Sequence, residues 1–332
     1  MTVIDLHAHA LPLPLLQRLA ADHPAVAPSV RSEAGRWHLT YPNGQTLGPF
    51  PPGIMDIDAR LADMDRQGVD VQAVSIAPSH FFYELPPAQG AELAALHNDG
   101  LLDMARSAPK RFVALGNLPL QDPPAAAAEV DRLAGHAEVV GVQIGTHVAG
   151  ANLDDPDLMV VWEALARVGF VVLIHPHAPA GIARLRPHYL VNLVGFPAET
   201  AIAAGALLFG GVLHAQPSLR FCLVHGGGFL PYQIARFDHG WSLRADLRQR
   251  LPEPPSQAAR RFYYDSLTHG SAALAFLIAQ VGVDQVVLGS DYPFGMGAKD
   301  PVTDIREHCA EAEVAAAVLQ RNPQRLLTRN AV

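Results

Sequence analysis

Short apolar, β-branched runs recur eight times along this chain, separated by longer stretches, several with helical periodicity, and that alternation constrains the fold more than any other feature. The runs are "TVIDLHAH" (2–9), "VDVQAVSI" (69–76), "RFVALGNL" (111–118), "VVGVQIGT" (139–146), "FVVLIHP" (170–176), "RFCLVHG" (220–226), "RFYYDSL" (261–267) and "QVVLGSD" (285–291). Between them, "DIDARLADMDRQG" (56–68), "AQGAELAALHNDGLLDMARS" (88–107), "PAAAAEVDRLAGH" (124–136) and "DPDLMVVWEALARVG" (155–169) read as helices. The first has Asp56 as its N-cap and Gly68 just past its end. This pattern predicts an α/β fold in which a parallel sheet closes into a (β/α)8 TIM barrel. A doubly wound open sheet would carry a Gly-rich phosphate loop after its first strand, and none stands there.

Residues 24–55 break the rhythm. There "RWHLTYPNGQTLGPF" (36–50) reads as a hairpin around Asn43 and Gly44, inserted after the first strand on the face where barrel loops build sites. With no interdomain linker or internal repeat, residues 1–332 are expected to form one barrel domain carrying that insertion. A chain of 332 residues, 49% of them hydrophobic, can fill such a core. A formal net charge of −8 without Lys/Arg runs argues against nucleic-acid and anionic-membrane partners. Cys222 and Cys309 stand far apart, and we read neither a signal-type N-terminus nor an apolar run of membrane-spanning length. A soluble, cytoplasmic protein is the expectation. Schiff-base chemistry has no place, because Lys110 precedes the third strand and Lys299 lies beyond the eighth.

Barrel active sites lie at the C-terminal ends of the strands. His7 and His9 end the first run, His175 the fifth, His225 the sixth and Asp291 the eighth. Strand side chains alternate, so the HxH spacing aims two imidazoles to one side. Any one strand-end histidine is commonly just a hydrogen-bonded loop residue, but all five groups on one face are not independent accidents. Neutral imidazoles with a carboxylate suit Zn2+ or a similar divalent ion. His225 reads as either a further ligand or an unligated acid/base. His23, His97, His136, His214 and His308 read as surface or cap residues, and His147, His177 and His269 as possible pocket-lining groups. Cys222, three residues before His225, is expected on the opposite face, under a helix.

With these motifs in place the chain resembles the amidohydrolase superfamily, and within it the aminocarboxymuconate-semialdehyde decarboxylase group of metal-dependent decarboxylases. The resemblance runs through "DLHAHALP" (5–12), "RLADMDRQGVDVQAVS" (60–75), "RFVALGNLPLQ" (111–121), "GVQIGTHV" (141–148), "HPH" (175–177), "LVGFPAET" (193–200), "HGGGFLPYQIARF" (225–237) and "LGSDYPF" (288–294). It implies His7, His9, His175 and Asp291 as ligands of one divalent ion, Zn2+ in the first place and Mn2+ as the alternative. It implies His225 as the catalytic acid/base, with Asp291 sharing the proton traffic. It implies Arg236 as a substrate-carboxylate arginine reaching into the partner subunit's site of a homodimer, and Phe294 as part of the substrate pocket. Relatives with two metals carry a lysine on the fourth strand, where this chain has Gln143 and Ile144. The family's second substrate arginine falls at Gly48, and its pocket tryptophans at His177 and Asn192. The expected activity is non-oxidative decarboxylation of a small carboxylated aromatic or muconate-semialdehyde-like acid. Hydrolysis of a lactone or amide by the same constellation is the alternative.

Overall fold

The computed structural model describes residues 2–309 and 311–328. Eight parallel strands follow one another in space as they do in sequence: β1 (Ile4–Ala10), β2 (Val71–Ile76), β3 (Phe112–Asn117), β4 (Val139–Gly145), β5 (Val171–His175), β6 (Arg220–Leu223), β7 (Tyr263–Asp265) and β8 (Val286–Val287). Each lies inside one of the runs read from the sequence, except that β1 extends one residue further. The ring closes between β8 and β1. Leu6 N–H donates to Leu288 O at 2.9 Å, Asp291 N–H to His7 O at 2.8 Å and His9 N–H to Tyr292 O at 2.7 Å. The result is the expected (β/α)8 barrel.

Two apolar layers hold it. Val74, Ile76, Val142, Ile144, Val172, Ile174, Phe221 and Leu223 pack outward under the helices. Leu6, Ala73, Leu115, Leu173, Cys222, Val224 and Val287 fill the lumen. Cys222 is therefore not under a helix as its spacing from His225 suggested. It pairs with Leu173, on the side that His175 also takes. Alternation fails beyond it because β6 ends at Leu223 and His225 sits in a 3-10 turn at φ 55°.

A bulge in β1 decides which way its side chains face. Asp5 pairs with Gln72 and Ala8 with Val74, so Leu6 and His7 share the place opposite Ala73. Leu6 then plugs the lumen, while Asp5 turns outward and accepts from Ser290 Oγ at 2.6 Å and Gln72 Nε2 at 2.9 Å.

The helix Ile57–Gln67 starts as expected, with Asp56 Oδ1 accepting from Ala59 N–H at 3.0 Å. It stops at Gly68, whose φ of 74° suits a residue without Cβ. The insertion is a three-stranded antiparallel sheet (Ser29–Glu33, Arg36–Thr40, Thr46–Phe50) rather than a lone hairpin. The extra strand, "SVRSE", is mostly exposed and lacks the apolar alternation that would mark it. Leu39, Tyr41 and Phe50 of the insertion join Leu11, Leu15, Leu19 and Phe82 in a second core.

One helical run, Pro187–Phe209, is long and apolar enough to cross a membrane by length and composition, contrary to our reading of the sequence. It becomes continuous through a π turn, Val191–Gly195. Glu199, Thr200, Ala203, Ala204, Leu207 and Leu208 are buried on one side, while Leu193, Val194 and Ile202 are exposed.

Candidate active site at the barrel mouth

The strand-end groups converge. His7 Nε2 lies 3.1 Å from His9 Nε2 and 3.3 Å from Asp291 Oδ1, and His9 Nε2 lies 3.1 Å from the same oxygen. The His175 ring centroid is 5.2 Å from that of His7 and 5.0 Å from that of His9. His225 Nε2 is 3.7 Å from Asp291 Oδ2. His7, His175, His225 and Asp291 each offer a donor atom within 4.8 Å of the others. That set includes His225 and leaves out His9, although His9 touches two of its members.

The outer nitrogens fix the inner ones. His7 Nδ1 faces Asp265 Oδ2 at 2.7 Å, His9 Nδ1 faces Ile76 O at 3.0 Å and His175 Nδ1 faces Pro176 O at 2.8 Å. Carboxylates and carbonyls only accept, so each Nδ1 carries the proton and each neutral ring turns an Nε2 lone pair inward. His175 Nε2 and Asp291 Oδ1 are buried with no hydrogen-bond partner. Lone pairs and a carboxylate facing one another need a positive charge among them, and a divalent cation with nitrogen and oxygen ligands fits.

The electrostatics agree. Burial alone would lower His7, but the Asp291 and Asp265 carboxylates lift its proton affinity above the usual imidazole value. Burial pushes His9 down, and it pushes His175 far down with help from the neighbouring imidazoles. Burial opposes the charge on Asp291, yet His7, His225 and His9 outweigh it and hold the carboxyl well below its ordinary range. The field that draws a proton to His7 also draws a cation.

Phe294 touches the cluster. Its ring lies 4.9 Å from that of His9 and 5.6 Å from that of Phe50, so the insertion reaches the histidine cluster through the Phe294 ring. His177 stacks on His147 at 4.3 Å and donates from Nε2 to His147 O at 2.9 Å; burial lowers its pKa to about 4. Asn192 is half-buried in the π turn. Arg236 is exposed on the helix Leu230–Leu243. Gly48 has φ 117°, and a Cβ there would stand 2.5 Å from Trp37 O, so this hairpin has no room for an arginine at that position.

Sequence reasoning missed two contributors to the site and misplaced one buried histidine. Asp265 ends β7 and holds His7, and the strand-end rule applied to the seventh run would have found it. Arg60, fully buried, donates to Gly53 O at 2.9 Å, to Gln72 Oε1 at 2.6 Å and to His9 O. His97, which the sequence suggests is a surface residue, is fully buried: its Nδ1 donates to Leu93 O at 2.6 Å and its Nε2 accepts from His80 Nδ1 at 2.8 Å.

A parallel barrel with imidazoles and a carboxylate gathered at the C-terminal ends of its strands defines an enzyme class that works through a bound cation. A family model described as Amidohydrolase matches residues 4–329, and the chain belongs to that family. It is 39% identical over 260 residues to the 2-amino-3-carboxymuconate-6-semialdehyde decarboxylase of Dictyostelium discoideum, covering 78% of this chain and 72% of that protein. It is 31% identical over 265 residues to the gamma-resorcylate decarboxylase of Rhizobium radiobacter, covering 73% of this chain and 78% of that one. Among solved structures, 5-carboxyvanillate decarboxylase from Sphingomonas paucimobilis matches with a TM-score of 0.82 at 27% identity, over 98% of each chain.

Proposed function

We propose that this amidohydrolase-family enzyme is a metal-dependent carboxy-lyase that removes CO2, without oxidation, from a small carboxylated aromatic or muconate-semialdehyde-like acid. The observation that carries the reading is the convergence of inward lone pairs on Asp291, with His225 on the open side. His7, His9, His175 and Asp291 would hold one ion. The nitrogen-rich donor set favours Zn2+, with Mn2+ as the alternative. Such an ion supplies Lewis acidity to a substrate oxygen, drawing off charge as the carbon–carbon bond breaks. Gln143 supports a single ion: its amide accepts from Ser75 Oγ at 2.6 Å and donates to Ile76 O at 3.0 Å, which ties it down.

His225 differs from the other imidazoles in being partly exposed, with 18% of its side chain accessible. That suits a group that meets substrate. When the bond to the carboxylate breaks, its electron pair stays on the substrate carbon, and His225 delivers the proton that quenches it. Asp291 orients that imidazole and shares the proton. Phe294, His177 and Asn192 line the substrate pocket. Arg236 is exposed on the helix Leu230–Leu243, free to meet a second copy of the chain, and it binds a substrate carboxylate in the neighbouring site of a homodimer. The exposed Tyr232 and Leu243 on the same helix support an apolar contact there. Buried free thiols at Cys222 and Cys309 fit a reducing cytoplasm.

The test loads the enzyme with Zn2+ or Mn2+ and offers carboxylated aromatics, muconate semialdehydes and lactones. CO2 release from a carboxylated acid with retention of the rest of the substrate is the expected result. Lactone or amide cleavage without CO2 release would replace this reading with hydrolysis.

A further inference from the structure

We propose that Asp265 is a positioning residue that sets the tautomer of His7 and, with the same carboxylate, the turn that carries His225. The inference rests on the metal reading above and extends it to a residue outside the ligand set.

Asp265 is fully buried at the end of β7. Its two oxygens do different work. Oδ2 faces His7 Nδ1 at 2.7 Å, which holds the proton on the outer nitrogen and leaves Nε2 free to ligate. Oδ1 accepts from Gly226 N–H at 2.8 Å and from Leu267 N–H at 3.2 Å. Gly226 directly follows His225, and both sit at positive φ, 61° and 55°. The carboxylate therefore ties together β1, β7 and the turn after β6. Packing keeps it in place: a Cβ at Gly289 would stand 2.7 Å from Asp265 Cβ and 3.0 Å from His7 Cβ, so that position has no room for a side chain.

The informative variant is Asp265→Asn. Its Oδ1 can still accept from both backbone N–H groups. Its amide nitrogen, facing His7 Nδ1, can only donate, which forces the His7 proton to Nε2 and removes the inward lone pair. If the amide flips instead, its N–H2 faces backbone donors and the His225 turn loses its anchor.

We expect Asp265→Asn to stay folded by circular dichroism and to bind Zn2+ about 10- to 100-fold more weakly, measured as retained metal at buffered free ion. At saturating Zn2+, kcat should fall with KM little changed. In the metal-free protein, at a pH high enough to keep the His7 ring neutral, 15N-imidazole NMR should place its single proton on Nδ1 in the wild type and on Nε2 in the variant. Wild-type metal affinity together with wild-type kcat in the variant would overturn the proposal, as would an Nδ1–H tautomer for His7 in both proteins with kcat unchanged. Should the variant fail to fold, the wild-type spectrum alone decides: an Nε2–H tautomer refutes the role. A wild-type protein that binds no divalent ion, yet shows the Nδ1–H tautomer, would defeat the metal reading and leave the Asp265 contact standing.

Discussion

His225 and Asp291, the two groups assigned to proton transfer, both have positive backbone φ, 55° and 56°. A non-glycine residue there costs about 1–3 kcal/mol, and such residues persist where the surroundings over-determine them. Here Asp265 holds one turn and the seam with β1 holds the other. His225→Ala should keep its ion by metal analysis and lose about 10²- to 10⁴-fold in kcat; wild-type turnover in that variant would remove His225 from the chemistry. The buried His80–His97 pair gives a second residue-level prediction. Burial lowers His97 to about 4 and His80 well below the usual value, so both stay neutral in the fold. Their depressed values mean that the unfolded chain takes up protons first as pH falls. Stability is thus full above pH ~6.5 and declines toward pH ~4, by about 3 kcal/mol for His97 alone. Replacing both rings with Phe at His80 and Leu at His97 should flatten the decline of Tm between those pH values, and an unchanged slope would contradict it. The five strand-end groups were legible because the chemistry sits where the sequence pattern ends. His97 was not, because helical periodicity reveals which way a side chain faces but not whether a buried partner awaits it.

At the level of elements, Arg60 shows how a helix can brace a site through the backbone of a residue that belongs to it. From Ile57–Gln67 its guanidinium reaches the end of β1, the end of the insertion and β2, and it lies 4.7 Å from the Tyr292 ring centroid. Burial lowers its pKa to about 10, still high enough to keep it charged at neutral pH. Arg60→Met would leave buried acceptors unpaired, and we expect a loss of about 3 kcal/mol or more in urea unfolding. Arg60→Lys should recover little, because an ammonium lacks the planar fork. A variant as stable as wild type would disprove the clamp. Strand order and most element ends were readable from the apolar runs and from Asp56 and Gly68. The β1 bulge was not, because it depends on pairing with β2. Neither was the first strand of the insertion, which is too polar to show. Cys222 was misplaced for a related reason: parity counts only while the strand lasts.

For the whole molecule, the assignment of Arg236 to a neighbouring site makes a subunit-mixing prediction. Arg236→Ala and His225→Ala should each be inactive alone. Mixed equally and re-associated, they should recover about a quarter of wild-type activity, because half the dimers then carry one intact site. No recovery would place Arg236 in its own chain's site or outside the reaction. Stripping the ion with a chelator should lower stability by about 3 kcal/mol relative to protein at a free-ion concentration near 100 Kd. An unchanged Tm would show that no ion couples to the fold. The seam between β8 and β1 also bears on biogenesis. During synthesis the first strand emerges some 280 residues before its last partner, Asp291. Until then β1 has an open hydrogen-bonding edge, and the imidazoles of "HAH" lack their carboxylate. A nascent chain released before residue 291 therefore carries most of the barrel but no complete donor set, and ribosome-bound intermediates should gain helix long before they gain the capacity to retain a cation.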